Sequence, residues 1–265
     1  MEYRITQGRL PIGNFSLYYE TAGEGFPLVF LHGLGGNHLS WWQQVPYFMR
    51  WYRCITMDQR SFGMSPDPEG LFNRAHSEDL TRLLDHLGID RCALIGQSMG
   101  GWTVVGCALE NPGRVAAMVM ADTPGGIFTK DMKFPAPPSP IVMDTTPPIG
   151  SLPTYARDYF KRRPAMAYLY DELRILGARP PTDAGARIAS LRYDLEKVRE
   201  RLTMPVLCMV GEQDELISPE MIRSLVKMLP KAAMVTVPDC GHSIYFEHPE
   251  VFNQIVRDFL RSAIE

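Results

Sequence analysis

Ser98 stands between two glycines in Gly96-Gln97-Ser98-Met99-Gly100, the pattern G-x-S-x-G. The apolar run Ala93-Leu94-Ile95 leads into it, and the helix-prone stretch from Thr103 to Leu109 follows. That order reads as strand, tight turn, helix. A serine at such a turn is held in a strained backbone conformation that pushes its hydroxyl out of the sheet edge. Glycine is required on both sides because a Cβ there would meet the neighbouring strand or helix. The helix that follows aims its unpaired N–H groups at the same place. The chemistry implied is acyl transfer through a serine nucleophile. A five-residue pattern is weak by itself, so the reading depends on a base, an acid and oxyanion donors elsewhere in the chain.

A serine hydroxyl is a poor nucleophile at neutral pH without a base in hydrogen-bond reach. Of the six histidines, His242 has the right position. It follows Gly241 just past the last apolar strand, and loops past strand ends converge on one edge of a parallel sheet. His32 also ends a strand, where an orienting hydrogen bond is expected. His38, His76, His86 and His248 are expected to be solvated. The base needs an acid to fix its tautomer. Asp214, in Gly211-Glu212-Gln213-Asp214-Glu215 directly after a buried strand, is the leading candidate, with Glu212 and Glu215 as solvated neighbours. Asp122, at the end of the strand after the serine turn, is its rival. Asp58 is expected to hold the loop Gln59-Arg60-Ser61-Phe62-Gly63. The N–H of Met99 supplies one oxyanion donor. The second is expected from His32-Gly33-Leu34-Gly35-Gly36, with Leu34 first and Gly35 next. Loss of one such donor typically costs about 3 kcal/mol of transition-state stabilisation. That glycine loop has neither G-x-G-x-x-G nor a P-loop lysine, so it does not read as a phosphate cradle.

Composition narrows the classes. A net charge of −3 without a long run of one sign disfavours nucleic-acid binding. No stretch approaches the roughly 20 apolar residues of a membrane helix, and Met1 to Thr6 lacks the apolar core of a secretory signal. The five cysteines are odd in number and lack C-x-x-C spacing, so buried free thiols and a cytoplasmic location are expected. Cys240, two residues from His242, is read as a small packing residue.

Elements that could position these residues follow from periodicity. Strands are expected at Phe15 to Glu20, Leu28 to Leu31, Arg53 to Met57, through Ala93-Leu94-Ile95, at Val115 to Met120, Pro205 to Val210 and Ala233 to Val237. Helices are expected from Ser40 to Met49, from Ser77 (as N-cap) to Leu87, from Pro219 to Met228 and from Pro249 to Arg261. Strands alternating with helices imply a parallel sheet covered on both faces. Residues 1–124 and 203–265 form the expected core. Residues 125–202 form an insertion that opens with Pro135, Pro137, Pro138, Pro140, Pro147, Pro148 and Pro153. It then turns helical through Tyr155, Tyr159 and Phe160, Met166 to Leu173, and Ile188 to Leu202. Its aromatics suggest a cap, or lid, over the site. Trp41, Trp102 and Tyr155 are the candidate substrate-binding residues.

These pieces in register resemble the α/β-hydrolase superfamily: the glycine loop after His32, Asp58 to Ser65, the Ser98 turn, Gly211 to Asp214, and Gly241-His242. The resemblance covers nearly the whole chain, and Ser, Asp, His is the family's order. It implies an α/β fold with an eight-stranded, mostly parallel sheet flanked by helices and a helical cap after strand 6. The pattern is similar to small esterases and enol-lactone hydrolases. It differs from haloalkane dehalogenases and epoxide hydrolases, which carry aspartate in place of Ser98. It also differs from meta-cleavage C–C hydrolases, which have a proline in the oxyanion loop and often a tryptophan where Ser243 stands. Ser61 replaces a usual glycine. The expected activity is hydrolysis of a small carboxylic ester or lactone, with no metal or organic cofactor. A C–C bond hydrolase, a slow-turnover ligand receptor and an acyl-transferring cyclase are the alternatives.

Overall fold

Four short, almost wholly apolar runs build the centre of a sheet whose two faces are both covered by helices. In a computed structural model, residues 4–130, 132 and 153–264 are described. The strands are β1 (Ile5–Ile12), β2 (Phe15–Ala22), β3 (Phe26–Leu31), β4 (Tyr52–Met57), β5 (Cys92–Gln97), β6 (Val115–Ala121), β7 (Val206–Gly211) and β8 (Ala232–Val237). They form one eight-stranded sheet in the order β1-β2-β4-β3-β5-β6-β7-β8. β1 pairs antiparallel with β2, and β2 antiparallel with β4; the remaining pairs are parallel. Strands β5, β6 and β7 are buried at every position, as expected of parallel strands covered on both faces.

The period of two sorts β5 between two cores. Cys92 and Leu94 pack on one face with Leu80, Leu83, Val104 and Val105. Ala93 and Ile95 pack on the other with Phe30, Trp41, Phe252 and Val256. The helices are α1 (Val45–Phe48), α2 (His76–His86), α3 (Met99–Glu110), α4 (Tyr159–Arg162), α5 (Pro164–Arg174), α6 (Ala184–Ser190), α7 (Leu195–Arg201), α8 (Pro219–Val226), α9 (Ile244–Glu247) and α10 (Pro249–Ile264). Helices α4 to α7 lie between β6 and β7 in the chain, and no strand interrupts them among the described residues. Most of the proline-rich run, Pro135 to Pro148, lies outside those residues; Pro153 sits in a turn.

Several local expectations are corrected. β1 carries a weak signal because it is an exposed edge strand, with only Ile12 buried. The segment from Ser40 to Met49 is a 3-10 turn at His38–Trp41 followed by the short α1, because Asn37 caps the first turn and Pro46 starts the second. Ser77 does not cap α2. The helix begins one residue earlier, continuing from a 3-10 turn, and Ala75 O accepts the Asp79 N–H. The stretch from Ile188 to Leu202 is broken at an extended Leu191, and Asp194 caps a new helix by accepting the Lys197 N–H.

The glycines around Ser98 show why β5 can turn straight into α3. A Cβ on Gly96 would lie 2.6 Å from Gly100 O, and one on Gly100 would strike the Leu31 carbonyl of β3. Replacing Gly100 by alanine therefore forces β3 and α3 apart. The expected result is a loss of about 1–3 kcal/mol of stability, read as a lower denaturation midpoint at unchanged slope in urea.

Candidate active site

The loops leaving the C-terminal ends of β3, β5, β7 and β8 bring four predicted site elements together. Ser98 sits between β5 and α3 at φ 47° and ψ −119°, a region that L-residues rarely occupy. Its N–H donates to Ala121 O at 2.9 Å, and its carbonyl accepts the Gly101 N–H at 2.9 Å. The side chain is half-buried. His242 lies between β8 and α9 and is 4% exposed. Its Nε2 is 2.8 Å from Ser98 Oγ, and its Nδ1 is 2.7 Å from Asp214 Oδ2. The carboxylate can only accept, so Nδ1 carries the proton and neutral Nε2 is left to accept from the serine hydroxyl.

Asp214 is buried, and its other oxygen accepts the N–H groups of Leu216 and Ile217 at 2.8 and 2.9 Å. Those bonds fix the carboxylate plane. The rival Asp122 also lies in this cluster, fully buried at φ 51°. Its two oxygens accept the N–H groups of Gly211 at 3.0 Å and Ile244 at 3.3 Å. It thus ties the Asp214 loop to the His242 loop, while Asp214 alone makes the hydrogen bond to the imidazole. Burial, then the nearby Asp214 carboxylate, raise the Asp122 carboxyl well above the usual carboxylate range. For His242, burial opposes the charged form. The Asp214 carboxylate, Asp122 and Glu247 together outweigh it, and the net shift is upward.

The glycine loop approaches the serine closely. A Cβ on Gly33 would lie 3.1 Å from Ser98 Cβ. Among the described residues neither the Leu34 N–H nor the Met99 N–H donates to a backbone carbonyl. His32 orients this loop: its Nδ1 lies 2.8 Å from Gly33 O, and its Nε2 accepts the Gln59 N–H at 3.0 Å. Burial lowers its pKa to about 4, so the ring is neutral and Nε2 is free to accept. Residues that the sequence reading passed over complete the frame. Gln59 donates to His32 O at 2.6 Å, and Gln97 donates to His242 O at 2.8 Å. Nothing in their residue type announced this; only their places, just after β4 and just before Ser98, could have.

Three expectations change. His38 and His76 are buried, not solvated. His38 pairs with Asp58 at 2.8 Å, and His76 contacts Arg60 O at 3.0 Å. Asp58 accepts the N–H groups of His38 and Met64, so it joins the glycine loop to the end of the following loop. Trp41 is not a pocket residue: it is fully buried with Phe30 and Tyr245, at ring separations of 5.2 and 4.9 Å. Trp102 donates to Leu191 O, and Tyr155 packs on Tyr159 and Tyr170. Trp41 packs within the core, whereas Trp102 and Tyr155 contact the inserted segment; an aromatic beside a site is indistinguishable in sequence from one beneath it. A recess borders the glycine loop and Gln97. It is lined by Leu34, Tyr170, Leu173, Arg174, Tyr245 and Phe246 among others.

The comparisons with known proteins agree with this architecture. A family model described as alpha/beta hydrolase fold matches residues 27–249. The chain is 28% identical to the sn-1-specific diacylglycerol lipase ABHD11 of Mus musculus, over 88% of this chain and 80% of that protein. It is 26% identical to 2-hydroxy-6-oxo-6-phenylhexa-2,4-dienoate hydrolase of Comamonas testosteroni, over 94% and 93% of the two chains. Among solved structures, a thermophilic esterase from Thermogutta terrifontis superimposes with a TM-score of 0.82 at 24% identity, covering 98% of this chain and 100% of that one.

The raised His242 pKa has a measurable consequence. In the Ser98→Ala chain, the His242 ring should titrate above the ordinary value of about 6.5, followed by NMR. By linkage, its stabilising contribution is complete below about 6.5 and is lost as pH rises through the raised folded value. Titration at or below the ordinary value would contradict the ion-pair geometry.

Proposed function

This chain belongs to the alpha/beta hydrolase family, and on that premise we propose that it is a serine hydrolase of carboxylic esters or lactones. One observation carries the reading. A single imidazole bridges a strained serine and a buried carboxylate, with 2.8 Å on one side and 2.7 Å on the other. Ser98 Oγ attacks the substrate carbonyl carbon while His242 Nε2 takes its proton. The N–H groups of Met99 and Leu34 hold the oxyanion, and Asp214 stabilises the imidazolium. The tetrahedral intermediate collapses, and His242 protonates the departing alkoxide. Water then attacks the acyl-enzyme with His242 again as base, which releases the acid and restores Ser98. In this reading residues 125–202 act as a cap, since Tyr170, Leu173 and Arg174 of α5 form one wall of the recess beside the glycine loop.

A second reading, C–C bond hydrolysis of a dienoic ketone, uses the same three residues. It draws on the Comamonas testosteroni relative, which is similar along nearly the whole length of both chains. Rates on an aryl ester and on a meta-cleavage product separate the two.

An organophosphonate should label Ser98 alone, located by mass spectrometry; an unlabelled Ser98 in folded protein refutes the mechanism. Asp214→Asn should lower kcat by about 10³- to 10⁴-fold, because the amide no longer selects the correct tautomer. Asp122→Asn should lower it far less. The opposite order would make Asp122 the acid.

A further inference from the structure

Glu247 closes the short helix α9 five residues after His242, and its side chain turns inward, 9% exposed. Its Oε1 accepts the Gly241 N–H at 2.9 Å, from the peptide that immediately precedes His242. The Cys240 thiol donates to the same oxygen at 3.6 Å. Oε2 accepts the Ala156 N–H at 2.9 Å, from the segment that leads into α4. One carboxylate thus spans the histidine loop and the start of the inserted helices. The two backbones touch where it does so: a Cβ on Gly241 would strike Ala156 N and the Tyr155 carbonyl carbon. Burying a carboxylate is costly unless its oxygens are satisfied, and packing alone would be served by an apolar residue. Here each oxygen accepts a backbone N–H from a different element.

We propose that Glu247 is a positioning residue for His242, which holds the base loop in register with the inserted helices and adds a negative charge behind the imidazolium. This rests on the catalytic reading of Ser98, His242 and Asp214. The hydrogen bonds act on geometry, since the Gly241 peptide sets the direction of the adjacent ring, and displacement of a reacting group by about 1 Å can cost 10²-fold in rate. The charge acts on the protonated ring, which forms in both halves of the reaction. Other groups face the same space. Asp214 and Asp122 surround His242 from β7 and β6. Around Glu247 stand Cys240, Tyr159 and Arg162 of α4, and Tyr170 of α5. Burial raises the Glu247 carboxyl, and the N–H groups of Ala156, Gly241 and Ser243, with the Cys240 thiol, counter it.

The full-length chain with Glu247→Gln tests this. The amide has one acceptor oxygen, so its NH₂ must face a backbone N–H that the carboxylate accepts, and the charge is gone. For an aryl ester, kcat should fall about 10- to 100-fold with KM changed much less. The acid limb of kcat/KM should move to lower pH, because a base with one fewer neighbouring carboxylate is protonated less readily. Glu247→Asp keeps the charge but shortens the reach; it should keep the parent's acid limb while kcat still falls. An unshifted acid limb and unchanged kcat in Glu247→Gln overturn the proposal. So does a kcat loss in Glu247→Gln that merely tracks a lower melting temperature without a limb shift. If Glu247→Gln does not fold, parent-like kcat in Glu247→Asp overturns it. Organophosphonate labelling of the parent keeps the two readings apart. A parent that is not labelled at Ser98 fails the catalytic reading, whereas a labelled parent with a parent-like variant fails only this one.

Discussion

An imidazole can relay a proton only if both of its nitrogens are aimed, one at a donor and one at an acceptor. In this protein the aim is set by three loops that have no contact in sequence. Ser98 leaves β5, Asp214 leaves β7 and His242 leaves β8, and their side chains meet within 2.8 Å of the same ring. Parallel strands make this possible, because every strand end of one polarity opens on the same edge. The sheet therefore functions as a ruler. Its register places the three loop origins, and the local bonds of each loop do the rest.

Those local bonds are mostly to backbone N–H groups rather than to other side chains. Asp214 is fixed by the peptides of Leu216 and Ile217, Asp122 holds Gly211 and Ile244, and Gln97 holds His242 O. A buried carboxylate that accepts peptide N–H groups is satisfied without a cation. Asp214, first among the neighbouring carboxyl groups, favours the protonated form of the His242 ring. Electrostatics and positioning come from the same groups. The strain at Ser98 belongs to the same frame: a positive φ at a serine persists only because β3, β5 and α3 pack too closely for the turn to relax.

The inserted helices are joined to this frame at several separate points. Asn37 of the glycine loop donates to Leu173 O at the end of α5, and Ala178 N donates to Gly63 O. Trp102 donates to Leu191 O, and the Tyr193 hydroxyl donates to Trp102 O. The inserted helices are thus mechanically connected to the glycine loop region and to α3.

The residue order alone marked the tight turn at Ser98, its glycines and the strand-end place of His242, because close backbone approach and strand-end placement leave a signature in local sequence. It also determined the alternation of strands and helices, through apolar periodicity. It did not reveal β1, whose exposed edge gives little hydrophobic contrast, nor the break at Leu191. The sequence left Asp214 and Asp122 as rivals, since both end buried strands. Tertiary structure alone separated them: the peptides of Gly211 and Ile244 occupy the oxygens of Asp122, and only Asp214 reaches the ring. It likewise decided that Trp41 is core and that His38 is paired. The physical reason is common to these cases. Hydrophobicity and spacing fix which elements form, but the partner of a polar group is set by distances between elements remote in sequence, and no local pattern encodes those.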